Sequence, residues 1–314
     1  MIVAVTGGTG FIGKRLVARH LAEGDAVRVL SRRAARERTA GGLLDLYPGD
    51  LTDGTADLRR FVDGARVLYH CAGEVRDPAR MRALHVEGTR NLSEAAAGRI
   101  GVWVQLSSVG AYGPRRAGVV TEETPPFPEG IYERTKAESD GIVAEAAAGG
   151  AFGLSILRPS NVFGPGMPNR SLVAMIAMID RGLFFFIGEH GAIANYIHVD
   201  GVADALMRCG RMPQARGRTY NLSEHRTMEE FVAAIADALG RRRPTARLPE
   251  TPVRLVARIL GKVPGFPLTE SRVNALVSRA IYPDTRIRSE LAYRHPVSIE
   301  EGLLQLAREW KRPA

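Results

Sequence analysis

Lysine is nearly missing from this chain. Only four of its 43 basic residues are Lys (Lys14, Lys136, Lys262 and Lys311), and the rest are Arg. Cysteine is scarcer still. Cys71 and Cys209 cannot build a disulfide framework and have no zinc-type spacing, so no metal is expected and a reducing compartment fits. Long apolar runs are missing as well. The longest, "GLFFFIG", is far too short to span a bilayer and follows Asp180 and Arg181. The start "MIVAVTGG" has no basic segment and no cleavage site, so it does not read as a signal peptide, and a cytoplasmic protein is expected. No low-complexity linker or repeat appears.

What is present is ordinary for a globular protein: 314 residues, 45% apolar and 25% charged. The net charge of +9 raises the question of a polyanionic partner. The Arg is spread along the whole chain, and Arg241–Arg243 is its one tight cluster, so no nucleic acid is expected. A mildly positive field would still attract a phosphorylated small molecule.

Short β-branched runs alternate with helical patterns through the first half. "IVAVT", "AVRVLS", "ARVLYHC", "VWVQLSS" and "GLSILRP" read as buried strands. Helices are expected from Phe11 to Ala22, Pro78 to Ala97 and Gly130 to Ala148. This is the pattern of βαβ units and of an α/β, doubly wound parallel sheet. After Pro159 the rhythm breaks, and from about Arg241 the chain is helix-rich with Pro-marked breaks. The expected division is a large domain, residues 1–164 plus about 195–235, and a smaller, mostly helical C-terminal substrate lobe, about 165–194 plus 236–314.

"AVTGGTGFIG" joins the first strand to the first helix. Gly7, Gly10 and Gly13, with Phe11 and Ile12 between, allow a tight turn, close backbone approach to a pyrophosphate, and packing of helix on strand. The helix N-terminus then faces the anion, so a dinucleotide is expected there. The second strand ends in Ser31, Arg32 and Arg33 with no carboxylate for a ribose hydroxyl. Two guanidinium groups suit a 2′-phosphate, which favours NADP and leaves NAD possible. "GDLTD" after the third strand offers Asp50 to the adenine amino group, with Leu51 beside it.

"IYERTKAES" holds Tyr132 and Lys136, which share one face of a helix. A free phenol, with pKa near ~10, is a poor base at neutral pH. An ammonium at ~4 Å, with an effective dielectric near ~20, could favour the phenolate by up to ~4 kcal/mol, about three pKa units. A compact ammonium can also grip ribose hydroxyls, which the bulkier guanidinium would do less well. That is a reason for Lys at this place in an Arg-rich chain. Upstream, "VQLSSVGAYG" puts Ser107 and Ser108 at a strand's carboxyl end, where open α/β sheets carry ligands.

Together, "TGGTGFIG", "GDLTD", "LYHCAG", "SSVGAYG", "YERTK", "LRPSNVFGPG" and "YIHVDGVADAL" resemble, in that order, extended short-chain dehydrogenases/reductases of the NAD(P)-dependent epimerase/dehydratase family. The resemblance covers about residues 1–225. It implies a Rossmann domain with a substrate lobe, Tyr132 as acid/base, Lys136 as cofactor clamp, and Ser108 as the orienting hydroxyl, four residues before Tyr112. It places Cys71, Ala72 and Gly73, and Pro159 and Val162, beside the cofactor. Asn161, Asn169 and Arg170 stand where polar substrate contacts are expected. Relatives often form homodimers through helices such as those starting at Pro78 and Gly130. Two positions depart from the pattern: His85 stands where the family usually has Asn, and Gly201 where a second Asp is common.

The implied chemistry is hydride transfer between nicotinamide and a carbinol or carbonyl carbon, with Tyr132 moving the proton. Dehydratases of this kind carry Asp-Glu just after the catalytic hydroxyl. Here Val109 and Gly110 follow, so dehydration is not expected. The first expectation for substrate is a nucleotide-activated sugar, oxidised or reduced. The alternatives are its epimerisation, a reductase of hydroxysteroid or dihydroflavonol type, and a non-catalytic dinucleotide-binding regulator. The basic, apolar stretch "PVRLVARILGKVPGFPL" reads as a core-facing helix, a lid for a greasy substrate, or a membrane-surface contact.

Overall fold

A computed structural model describes residues 1–32, 37–38, 42–54, 57–260 and 269–311. Arg33 and the second half of the basic, apolar stretch lie outside them.

The five expected strands form as β1 (Ile2–Thr6), β2 (Ala26–Ser31), β5 (Val67–His70), β6 (Val102–Leu106) and β8 (Gly153–Pro159). They join β4 (Leu44–Pro48), β12 (Arg218–Leu222) and the short β3 (Glu37–Arg38) in one eight-stranded sheet, ordered β12-β8-β6-β5-β1-β2-β4-β3. Every pairing is parallel except β3 with β4 at the edge. β5 and β6 are buried at every residue, as strands covered on both faces must be.

One cover is α1 (Gly13–Ala22) with α7 (Val199–Arg211), where Leu16, Val17, Val202 and Leu206 pack on Val5, Val29 and Val104. The other is α2 (Leu58–Val62), α4 (Gly88–Ala96) and α5 (Ile131–Ala148), which bring Phe61, Leu92 and Val143 against Leu68 and Trp103. The helix expected from Pro78 to Ala97 is interrupted. α3 (Pro78–Arg82) passes into a π turn, Ala83–Glu87, before α4 resumes. The hydroxyl of Thr89 donates to the carbonyl of His85 at 2.6 Å inside that turn.

The lobe is built on α6 (Arg170–Asp180), α8 (Met228–Leu239) and α12 (Ile299–Trp310), with Leu172, Ile176, Phe231, Ile235 and Leu303 at its centre. A small sheet orders β13 (Glu224–Thr227), β11 (Ile193–His198) and β9 (Asn161–Phe163). Two parallel pairs complete it: β10 (Phe186–Ile187) with β14 (Arg247–Leu248), and β7 (Ala117–Val119) with β15 (Arg279–Ile281). α9 (Glu250–Leu260) and α10 (Glu270–Val277) meet through Val253, Ala257 and Val273, and α11 (Thr285–Leu291) packs beside β12. The described part of α9 therefore has a core-facing side, while Leu255, Val256 and Ile259 remain exposed. Among the described residues no helix is long and apolar enough to cross a membrane.

Candidate active site

The sheet reverses its winding between β1 and β5, and a crevice opens at their carboxyl ends. Gly7 leaves β1 there with φ +66°, and a Cβ on it would lie 2.6 Å from the Cys71 carbonyl oxygen. A Cβ on Gly13 would lie 2.1 Å from the Gly7 carbonyl oxygen. The loop through Gly10, Phe11 and Ile12 can therefore close only with glycine at both places, and this cradle fits a pyrophosphate at the start of α1.

The remaining expected cofactor contacts surround the same crevice. Ser31 ends β2, and Arg32 follows it, exposed. Asp50 uses one carboxylate oxygen to accept from the Thr52 amide at 3.0 Å and hydroxyl at 2.9 Å, and Leu51 is buried beside it. The Ala72 amide donates to the Thr6 hydroxyl at 3.3 Å, which holds the Cys71–Gly73 segment against β1. Burial pushes the Cys71 thiol up to about 12, so it is no thiolate nucleophile. Pro159 ends β8, and Val162 is the central residue of β9.

Ser108, Tyr132 and Lys136 come together from two elements. Ser108 caps the short turn after β6 and accepts from the Gly110 amide at 3.0 Å. Tyr132 and Lys136 lie in the first turns of α5, where Glu133 accepts from the Gly130 amide at 3.0 Å and fixes the helix start. The Ser108 side chain lies close enough to the Tyr132 hydroxyl to oppose the rise of its pKa. A Cβ on Gly110 would lie 3.3 Å from the Ser108 hydroxyl and 3.5 Å from the Tyr132 ring, so a larger residue there would press on both. Ser107, the other serine of the pair, is directed elsewhere: it donates to Asp140 at 2.7 Å.

The electrostatics differ from the expectation that Lys136 lowers the phenol. Burial raises the Tyr132 pKa, and the Ser108 side chain is what opposes it. The Lys136 ammonium is itself buried and donates to the Leu106 carbonyl at 2.6 Å. Burial lowers its pKa while Asp140 pulls it back up. Asp140, one turn beyond Lys136, also accepts from Arg158 at 3.0 and 3.2 Å, and Arg158 lies over the Tyr112 ring at 4.7 Å. This Ser107–Asp140–Arg158 group escaped the sequence reading. The signal was available, because Asp140 continues the four-residue spacing of Tyr132 and Lys136.

The polar groups expected at the substrate are largely engaged with the protein. Asn169 caps α6, accepting from the amides of Ser171 and Leu172 at 3.0 and 3.1 Å. Asn161 donates to the Asn195 carbonyl at 3.1 Å, holding β9 to β11. Arg170 is exposed in the first turn of α6. The lobe also has a cavity of about 730 Å³ lined by Arg247, Leu248, Pro249, Val277 and Arg279, with Glu189 and Glu250 at its wall. Arg247 donates to Glu229 at 2.6 Å and to the Gly188 carbonyl at 2.9 Å, and Arg279 to the His190 carbonyl at 3.0 Å. Of the two departures, Gly201 has a packing reason: a Cβ there would lie 2.7 Å from the Tyr293 hydroxyl.

Residues 3–223 match the family model of the NAD dependent epimerase/dehydratase family. The chain belongs to that family. As an extended short-chain dehydrogenase/reductase it has curated relatives of several named kinds, a UDP-glucose 4-epimerase of Mycolicibacterium smegmatis among them, 28% identical over 76% of this chain and 83% of its own. A 3beta-hydroxysteroid-dehydrogenase/decarboxylase of Arabidopsis thaliana is 27% identical over 95% of the chain, which spans 60% of that protein's length. The sterol demethylase protein B of Methylococcus capsulatus is 32% identical over 79% of this chain and 78% of its own. Among solved structures, MoeE5 in complex with UDP-glucuronic acid and NAD is 25% identical, with a TM-score of 0.76 and 99% of both chains covered. This family member is therefore an enzyme of the NAD-dependent dehydrogenase and epimerase class.

Proposed function

We propose that the enzyme interconverts a secondary alcohol and a ketone on an apolar, sterol-type substrate, with NADP as the preferred dinucleotide. The observation that carries the substrate class is the engagement of Asn161 and Asn169 with protein partners, which leaves Arg170 as the one expected polar contact still exposed. An exposed apolar side chain supports it: Val75, more than half exposed, follows the Cys71–Glu74 segment directly. The two sterol-named relatives agree with it. A nucleotide-sugar substrate is the second reading, favoured by the UDP-glucuronic acid held in MoeE5. NADP preference is supported by Arg32 and by the missing carboxylate after β2.

A bound nicotinamide dinucleotide supplies the hydride acceptor or donor. The chain supplies the rest. Ser108 orients the substrate oxygen, Tyr132 gives or takes its proton at the phenol oxygen, and Lys136 holds a positive charge beneath them. With its pKa raised, Tyr132 carries its proton at neutral pH, so it is ready to act as the acid in ketone reduction. Alcohol oxidation needs the phenolate. Its rate should therefore climb as pH rises through the alkaline range, while reduction persists at neutral pH.

The test measures kcat/KM for a 3β-hydroxysterol and for UDP-glucose with NADP and NAD, in the native enzyme and in Tyr132→Phe. Sterol turnover that prefers NADP and disappears in Tyr132→Phe, with dinucleotide Kd nearly unchanged, is expected. Turnover of UDP-glucose alone would replace the substrate reading, and turnover surviving in Tyr132→Phe would remove the mechanism.

A further inference from the structure

Two histidines, His70 and His85, are each 2% exposed beneath the site, and neither has a role in the proton transfer described above. Their hydrogen bonds can be solved for proton position. The Thr135 hydroxyl donates its single proton to the carbonyls of Ile131 and Tyr132, at 2.9 and 3.1 Å. Facing His85 Nδ1 at 2.9 Å, it can only accept, so Nδ1 carries hydrogen. Nε2 of His85 accepts from the Glu74 amide at 2.8 Å, so it carries none. The Thr89 hydroxyl donates to the His85 carbonyl, so it accepts from Nε2–H of His70 at 3.0 Å. Nδ1 of His70 then accepts from the Thr6 hydroxyl at 2.7 Å, and Thr6 accepts in turn from the Ala72 amide. The two rings are neutral and hold opposite tautomers.

These bonds join three segments that frame the crevice. Thr6 precedes the glycine loop, Ala72 and Glu74 belong to the segment after β5, and Thr135 lies between Tyr132 and Lys136 on α5. His85 also meets the Tyr132 ring edge-on, 5.8 Å between centroids. The π turn brings His85 to this place, and Thr89 continues the chain to Ser139 at 3.1 Å, which accepts from Gln105 at 2.8 Å.

We infer that His70 and His85 are paired positioning residues that clasp the cofactor-lining segment Cys71–Glu74 to the helix bearing Tyr132 and Lys136. An imidazolium at His85 would point Nε2–H at the Glu74 N–H and break the clasp. The neutral state is protected: burial, then the Lys136 charge, lower His85 to about 4 against the opposing pull of Glu74. Burial, Lys136 and His85 lower His70 to about 3. The clasp is complete above the ordinary imidazole range near ~6.5 and is lost as pH falls through about 4.

The inference rests on the assignment of Tyr132, but its test does not require the right substrate. Nitrogen NMR of the native enzyme at neutral pH reads both tautomers, and calorimetry reads NADP and NAD binding in His85→Leu and His85→Gln. The expected results are His85 protonated on Nδ1 and His70 on Nε2, with dinucleotide Kd raised about tenfold in His85→Leu, the scale of one orphaned buried donor. His85→Gln should recover most of the affinity, because an amide offers both an acceptor for Glu74 and a donor for Thr135. On any substrate the enzyme turns over, kcat should follow the same order, with KM changing less. Reversed tautomers, or Leu and Gln variants that bind equally, would overturn the inference. If His85→Leu does not fold, the native tautomers and the Gln variant decide it.

Discussion

At the scale of single residues, the site is set by buried charges more than by the Tyr132–Lys136 pair alone. Lys136 is a lysine because its ammonium fits a buried place against the Leu106 carbonyl, where a planar guanidinium would need more room and more acceptors. Its charge is balanced by Asp140, which also holds Ser107 and Arg158. Asp140→Asn removes one partner of a buried ion pair and leaves Arg158 uncompensated, so a loss of about 3 kcal/mol or more is expected in urea unfolding. Dinucleotide affinity should fall with it, because Lys136 loses the carboxylate that raises its pKa against burial. An unchanged unfolding midpoint would show that the pair contributes little. Ser108 could be separated from Ser107 in sequence only through the family resemblance, whereas the 2.7 Å bond from Ser107 to Asp140 separates them by chemistry.

At the scale of elements, several helix ends are marked in the sequence. Thr227 with Glu230, and Ser298 with Glu301, are capping boxes that start α8 and α12, and Gly240 ends α8 with φ 67°. Asn169 was expected at the substrate, but its side chain accepts from two amides of α6 and caps that helix. Asn169→Ala should cost about 1 kcal/mol in stability and leave kcat nearly unaltered. A large fall in kcat without loss of stability would restore it to the substrate site. The π turn was not legible, because the apolar spacing from Pro78 to Ala97 continues through it. It depends on a carbonyl of one turn meeting a hydroxyl of the next.

At the scale of the whole molecule, α12 and the small sheet are joined by close packing. Gly302 of α12 is buried where a Cβ would meet the Phe163 ring and His198 at 2.8 Å. Phe163 ends β9 and His198 ends β11, so α12 seats directly on the strands that lead out of the crevice. Gly302→Val should therefore lower stability by about 1–3 kcal/mol through overpacking, and raise KM as the lobe is displaced. Both changes can be read from urea unfolding and steady-state kinetics, and native-like values for both would mean that the seat has slack. A bond from Arg76 to the Pro168 carbonyl, at 3.3 Å, ties the segment after β5 to the one before α6, residues distant in sequence.

The chain's local chemistry was enough to determine the βαβ order, the glycine cradle and the shared face of Tyr132 and Lys136, because each depends on neighbours within a turn or two. It did not determine the short strands β7, β10, β14 and β15, which exist only where distant segments pair. Nor did it determine the proton state of Tyr132, the tautomers of His70 and His85, or the engagement of Asn161 and Arg247. Those were decided by the tertiary structure, since a pKa and a hydrogen-bond partner depend on what the fold brings alongside and how far it excludes water.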